Sequence, residues 1–338
     1  LNLDQFWVDL AAVLASASPL ILATLGETIT ERAGVINLSL DGTMLLAAMV
    51  GFAVGFQSQN VGLGLLAAAL VGGFIGLILG FLSLSLRQSQ TAVGFVLALL
   101  CTDLSSFLGN AYVRVPGVAV PSMPIPFLKD LPILGKLFFH HDLIVYSSFI
   151  LTPALSWFLF QTRNGLILRA LGEQPTAAFA RGINVIQYRY FYTILGGMLV
   201  GLAGAAYSLD LKQGWSHRHI AGMGWIALAI VIFGAWQPWR VAFGCYLFSA
   251  LQVLASRSQS LWPSVPTQVF QVAPFALMLG FLVLVNLSNK PPSTPREAQI
   301  SLRWLSLAKL MLLMQGLLHS LAASPPAALG KPFYNDEP

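Results

Sequence analysis

The chain has 338 residues, of which 56% are hydrophobic and only 9% charged, whereas a soluble domain carries about 25% charged residues. That composition excludes a soluble globular protein and predicts an integral membrane protein. The formal net charge of +5 does not point to nucleic acid, because the basic residues are dispersed between apolar runs and fit membrane orientation better.

Taking about 20 residues per crossing, apolar runs fall at 6–25, 39–56, 61–86, 91–109, 142–160, 190–209, 223–236, 240–256 and 268–287. They predict an all-α polytopic bundle of about nine spans, with 39–56 and 223–236 short enough to be re-entrant instead. The first run carries Asp4 and Asp9 in place of a basic leader and is followed by Glu27, so no removable signal peptide is expected. Cys101 and Cys245 lie inside apolar runs and read as small buried hydrophobes, with no disulfide framework or metal site implied.

Between the first two runs, the stretch GETITERAGVINLSLDG gathers Glu27, Glu31, Arg32, Asn37 and Asp41 with Gly34 and Gly42. Carboxylates so near an apolar core need partners, and a Glu31–Arg32 or Asp41–Arg32 neighbourhood is expected. A plain hairpin with solvated charges is the alternative. Gly72, Gly76 and Gly80 share a face, as do Gly197, Gly201 and Ala205, which predicts close helix packing within the subunit or at a subunit interface.

The fourth run opens on Gln88, Ser89, Gln90 and Thr91 and later carries Asp103 and Asn110. Polar groups at membrane depth turn toward protein or a water-filled path. The stretch Ala111 to Asp142 holds five prolines between Pro116 and Pro132 and reads as an external loop with a short helix near 132–139. His140 and His141 are adjacent and point about 100° apart on a helix, so they do not make a metal pair.

Arg163 to Tyr190 is the longest polar island between apolar runs. Pro175 suits a first helical position and Gly182 a stop, which predicts a helix over Thr176 to Arg181 with Glu173 facing its positive end and Arg181 its negative end. Such a helix is about 10 Å long. It should lie against one membrane face, where another protein could push on it.

Farther along, Trp215, Trp225, Trp236 and Trp239 fit an aromatic belt, though a ring stacking on a nucleobase or sugar attaches best to Trp225. The last run begins with Gln268 and Gln271 and contains Pro274. Beyond it come a linker and, over 300–322, an apolar stretch with Arg303, Lys309, Gln315 and His319 that reads as a helix at the cytoplasmic interface, with a tenth crossing as the alternative. The expected division is a permease domain over 1–290, with its coupling loop at 163–189, and a cytoplasmic tail region over 291–338. With 163–190 inside, alternation puts the N-terminus outside and the C-terminus in the cytoplasm, and twelve basic residues fall inside against six outside.

The run Gly172, Pro175, Ala177, Ala178, Gly182, Ile183 and Asn184, followed by LGGMLVGLAGAAYSL, resembles the cytoplasmic coupling loop and next span of ABC importer permeases of the branched-chain amino-acid, simple-sugar and nucleoside family. Gly26-Glu27, the stretch Glu31 to Leu38, and Asp41-Gly42 are similar to that family's N-terminal signature, above all in its nucleoside and sugar branch. The resemblance covers most of 20–287 and returns at Pro325 to Pro332. It implies a multi-pass permease of the inner (plasma) membrane. Its partners would be ABC ATPase subunits, a second permease subunit, an extracytoplasmic substrate-binding protein and membrane lipid.

Glu173, Pro175, Ala177, Ala178, Arg181 and Gly182 would then couple to the ATPase, and Gln90, Thr91, Asp103, Trp225 and Gln271 are candidates for the substrate path. Where Gln90 stands, similar permeases commonly have Asn. The chain lacks a phosphate-binding Gly-x-x-x-x-Gly-Lys-Ser/Thr loop, so it is expected not to be an enzyme, to need no cofactor and to leave ATP hydrolysis to a partner. The alternatives are a branched-chain amino-acid permease and an ion-coupled secondary transporter, for which Asp103 is the one plausible midplane carboxylate.

Overall fold

The computed structural model describes residues 3–126, 134–262, 265–288 and 325–333. It divides into two compact units, Leu1–Ser249 with Pro325–Pro338, and Ala250–Ser324. Among the described residues the structure is built from helices, with isolated backbone bridges but no named strand. The first unit contains α1 (Leu3–Arg32), α2 (Leu40–Ser58), α3 (Val61–Gly80), α4 (Gln90–Leu108), α5 (Leu134–Phe138) and α6 (Leu143–Gln161). It continues through α7 (Arg163–Glu173), α8 (Pro175–Ala180), α9 (Val185–Ala206), α10 (Met223–Phe233) and α11 (Pro238–Leu261) as far as Ser249. The rest of α11 and α12 (Thr267–Ser288) belong to the second unit.

Among the described residues, six helical stretches are long and apolar enough to cross a membrane: Gln5–Arg32, Leu40–Ser58, Val61–Ser85, Gln90–Tyr112, Leu143–Gln161 and Val185–Leu211. The short second run is thus a full-length candidate. The run expected at 223–236 is not, because its helix has 11 residues and reaches about 16 Å against a hydrocarbon core of about 30 Å. The interfacial helix expected over 300–322 lies outside the described residues.

The core is centred on α2, whose Leu40, Met44, Leu45, Ala47, Ala48 and Phe52 are wholly buried. Against it pack α3, α4 and α9. The small faces of α3 and α9 meet each other: a Cβ on Gly76 would fall 2.7 Å from the Thr193 carbonyl, and one on Gly72 would collide with the backbone of Gly197. These faces therefore close a contact within the subunit. The opposite side of α3 exposes Leu63, Leu66, Leu70, Phe74, Leu77 and Phe81 at three- and four-residue spacing, a stripe fit for lipid.

The two ends of the first unit differ. One is closed by loop segments bridged through their backbones, Val113 to Trp215, Pro116 to Gly214 and Ser122 to Asp142. The short helix expected in that region is α5, and His141 Nε2 donates to the Leu137 carbonyl at 2.8 Å, which ties the histidine to its end. The other end collects the turn after α1, the start of α4, α7, α8, the start of α9 and residues 325–333.

Candidate functional site

At this second end the polar island folds as two helices. Thr162 caps α7 by accepting from Gly165 N at 3.0 Å, and α8 starts with Pro175 at its first position. Gly182 has φ +81°, and the bonds Ile183 N to Ala178 O (3.2 Å) and Gly182 N to Phe179 O (2.8 Å) close the helix as a Schellman ending. The predicted stop at Gly182 is therefore the observed one. The consecutive residues Ala177, Ala178 and Phe179 do not share a face, however. Ala178 is buried in a cluster with Ile29, Ala33, Leu159, Leu168 and Leu171, while Ala177, Phe179 and Arg181 face outward. Successive helical residues diverge by about 100°, so three in a row cannot share one face.

Glu173 ends α7 with one carboxylate oxygen 3.9 Å from Arg32 Nη1 and the other accepting from Ala327 N at 3.2 Å. The expected pairing of Arg32 with Glu31 or Asp41 is not found. Arg32 donates from Nε and Nη2 to the Trp236 carbonyl at 3.2 and 3.1 Å, and Glu31 instead accepts the indole N–H of Trp236. Ala235 and Trp236 both have left-handed backbones, with φ 54° and 55°. A double left-handed turn is costly for side-chain-bearing residues, and the bonds from Glu31 and Arg32 hold this one in place.

Asp41 acts at the opposite end of α10. Its Oδ1 accepts from Gly222 N at 2.8 Å and Gly224 N at 3.0 Å. The aspartate thus caps α10 from another helix, supplying the acceptor and the negative charge that a helix N-terminus lacks. Gly224 has no room for a side chain, because a Cβ there would collide with the Asp41 backbone. One sequence block therefore grips both ends of the short helix. Glu27, the remaining carboxylate of the block, is fully buried.

The candidate path residues separate. Gln90 is buried, and its side-chain oxygen accepts from Ile36 N at 2.8 Å, so it ties α4 to the loop after α1. Thr91 is exposed and pairs with the Ser89 hydroxyl at 2.9 Å. Asp103 accepts from Arg218 Nη2 at 2.9 Å in an exposed ion pair. Trp225 is 41% exposed, with its ring centroid 6.5 Å from that of Phe95. Gln271 lies in α12, with its side chain outside the described residues. Phe95, Asp103, Arg218 and Trp225 thus form two open contacts, from α4 to the segment before α10 and to the first turn of α10 itself. Among the described residues, no group of three or more His, Cys, Asp or Glu side chains is placed to hold a metal.

Sequence reasoning gave no role to Phe95, Arg218 or Arg189. Arg189 is wholly buried and donates to the Lys331 carbonyl at 3.1 Å and the Leu171 carbonyl at 3.2 Å. A guanidinium in the first turns of an otherwise apolar helix was the available signal, since such a group must find acceptors.

Residues 10–282 match the family described as branched-chain amino acid transport system / permease component. The chain is 36% identical to the guanosine ABC transporter permease protein of Bacillus subtilis, over 79% of this chain and 88% of that one. It is 31% identical to the nucleoside ABC transporter permease protein of Lactococcus lactis, over 82% and 92%. A Haloferax volcanii protein provisionally named a glucose ABC transporter permease is 39% identical over 75% of this chain and 78% of its own. No solved structure matches the chain. The match over residues 10–282, with relatives sharing about a third of their residues across most of both chains, makes this protein a member of the branched-chain amino-acid transport system permease family.

Proposed function

We propose that the chain is the permease subunit of an ATP-driven importer of nucleosides or simple sugars, a multi-pass protein of the plasma membrane. The observation that carries this reading is the joint similarity to permeases named for guanosine, nucleosides and glucose across most of the chain. None of these names is an amino-acid permease, which favours the nucleoside and sugar branch over branched-chain amino acids. An ion-coupled mechanism loses its best candidate, because Asp103 is exposed and paired with Arg218.

In this reading α8 receives the push of a partner ATPase through Ala177, Phe179 and Arg181, while Glu173, Pro175, Ala178 and Gly182 set its position. A second permease subunit and an external binding protein complete the assembly. Residues 1–290 form the permease domain, and 291–338 the cytoplasmic tail region. The substrate path runs past Phe95 and Trp225, whose flat apolar faces suit a nucleobase or a sugar ring, toward the Asp103–Arg218 pair. Thr91 lies one helical turn from Phe95 on the same side of α4.

The nine-span arrangement, N-terminus outside and C-terminus inside, needs residues 215–236 to cross between the two ends of the first unit, and that crossing is supported by where α10 begins and ends. Trp215 packs on Gly109 at the end of α4, and Trp236 meets Arg32 at the end of α1. The turns over 216–222 therefore supply the length that α10 lacks. A cysteine at Gln174 and one at Met123, each in a chain without Cys101 and Cys245, should differ in access: only the latter reacts with an impermeant thiol reagent on intact cells. Labelling at 174 would reverse the orientation.

The substrate class is tested in vesicles bearing the whole complex. Radiolabelled guanosine or glucose should enter only with ATP and the binding protein supplied, and leucine should not compete. Preferential uptake of leucine would move the protein to the amino-acid branch.

A further inference from the structure

Residues 325–333 return from the end of the chain and touch four separate segments at the face that carries α8. Ala328 N donates to the Gly172 carbonyl at 2.8 Å and Gly330 N to the Gly34 carbonyl at 3.1 Å. Ala327 N bonds Glu173, and the Lys331 carbonyl accepts from the buried Arg189. The ring of Phe333 lies 5.7 Å from that of Phe179 on α8. Gly330 turns the segment with φ +73°, and a Cβ on it would come within 2.6 Å of Ile36 Cδ1.

A six-residue helix has too few internal hydrogen bonds to hold its own orientation. α8 buries one side chain, Ala178, into the subunit. Fixed at that point alone, it would pivot under a load instead of moving its surroundings. The Phe179–Phe333 contact adds a second point of attachment. From Phe333 the chain runs directly into Lys331, Gly330 and Ala328, which are bonded to the start of α9, the turn after α1 and the end of α7.

We infer that residues 325–333 are a strap that makes α8 a lever, joining it to the turn after α1 and to the start of α9 so that a push on α8 moves those helices. The inference rests on the reading of α8 as the surface that takes the ATPase stroke. Arg32 and Glu31, in the last turn of α1 just before that turn, hold the C-terminal end of α10, so the strap reaches one of the two grips on that helix. Phe333, Gly330 and Ala328 are positioning residues, and none is assigned contact with substrate or nucleotide.

The test uses the whole complex, permease with its ATPase and binding protein, reconstituted in liposomes. Three variants are compared: Gly330→Val, Phe333→Ala and, on the outer side of α8, Ala177→Glu. Uptake of radiolabelled guanosine or glucose, whichever the parental complex imports, is measured per ATP hydrolysed, together with the thermal midpoint of the purified complex. Both strap variants should lower the ratio by at least about fivefold while basal ATP hydrolysis stays within about twofold of parental, and Ala177→Glu should lower the ratio as well. Should Gly330→Val not be recovered from the membrane, Phe333→Ala decides, because it removes a ring and leaves the backbone bonds in place.

A parental ratio in the strap variants, with or without a lowered thermal midpoint, would make the segment a fold element only and overturn the inference. With Ala177→Glu uncoupled in the same experiment, the role of α8 would survive that result. If Ala177→Glu also keeps the parental ratio, the reading of α8 falls too. Uncoupled strap variants beside a coupled Ala177→Glu would likewise overturn the inference, since the strap would then act by a route other than α8.

Discussion

An Ala178→Glu permease is expected to disappear from the membrane fraction, whereas Ala177→Glu accumulates at the parental level and imports at least about tenfold more slowly. The two positions are neighbours in sequence and both are alanine. Ala178 is 3% exposed and touches a cluster drawn from α1, α6, α7 and α9. A carboxylate there would have to leave water for a cluster of apolar side chains, which costs several kcal/mol, about the whole stability of a marginal domain. Ala177 points away from the subunit, and a glutamate on it is solvated in the isolated chain. Its effect is felt only where a partner closes over α8. Immunoblots of membrane fractions and uptake assays separate the two outcomes. Equal loss of abundance in both variants would mean that α8 tolerates no change on either face and would remove the argument for an outward docking surface.

The same pair of alanines shows what the sequence makes legible. Pro175 and Gly182 punctuate α8 by their own backbone preferences, so its ends could be read locally. Which of its residues faces inward depends on Leu159, Leu168 and Leu171, brought there by other helices. α7 escaped notice for a related reason: its charged residues hide the buried positions Gly165, Leu168, Leu171 and Gly172, and the cap at Thr162 stands at the end of an apolar run. The need of Glu31, Arg32 and Asp41 for partners was readable from charge and hydropathy. Their identities were not, because the partners are the Glu173 carboxylate and, about 180 to 200 positions away in the chain, an indole, two carbonyls and two amides. Gln90 was legible as polar within a span but not as a hydrogen-bond partner of Ile36. Polarity states that a bond is needed, while only the fold states where it goes.

Replacing Asp41 by alanine should reduce import at least about tenfold while leaving the permease in the membrane, and Asp41→Asn should keep at least about a third of parental import. Alanine leaves the Gly222 and Gly224 amides without the acceptor they share, at a helix start set inside the subunit where α2 crowds it. Each unpaired amide costs about 1–3 kcal/mol. Opening the first turn of α10 relieves that penalty most directly, and Trp225 is in that turn. Asparagine retains an oxygen that can accept from the amides and loses only the charge that complements the helix end. If Asp41 works by placing Trp225 against Phe95 and the substrate, then Asp41→Ala and Trp225→Ala act through one contact. The double variant should be no slower than the slower single variant, because contacts that depend on each other do not add. ATP hydrolysis stimulated by loaded binding protein should persist in both singles, since neither residue lies at the α8 face. Multiplied defects in the double variant, or stimulation and import lost in parallel, would show that Asp41 supports the fold without directing Trp225 to substrate.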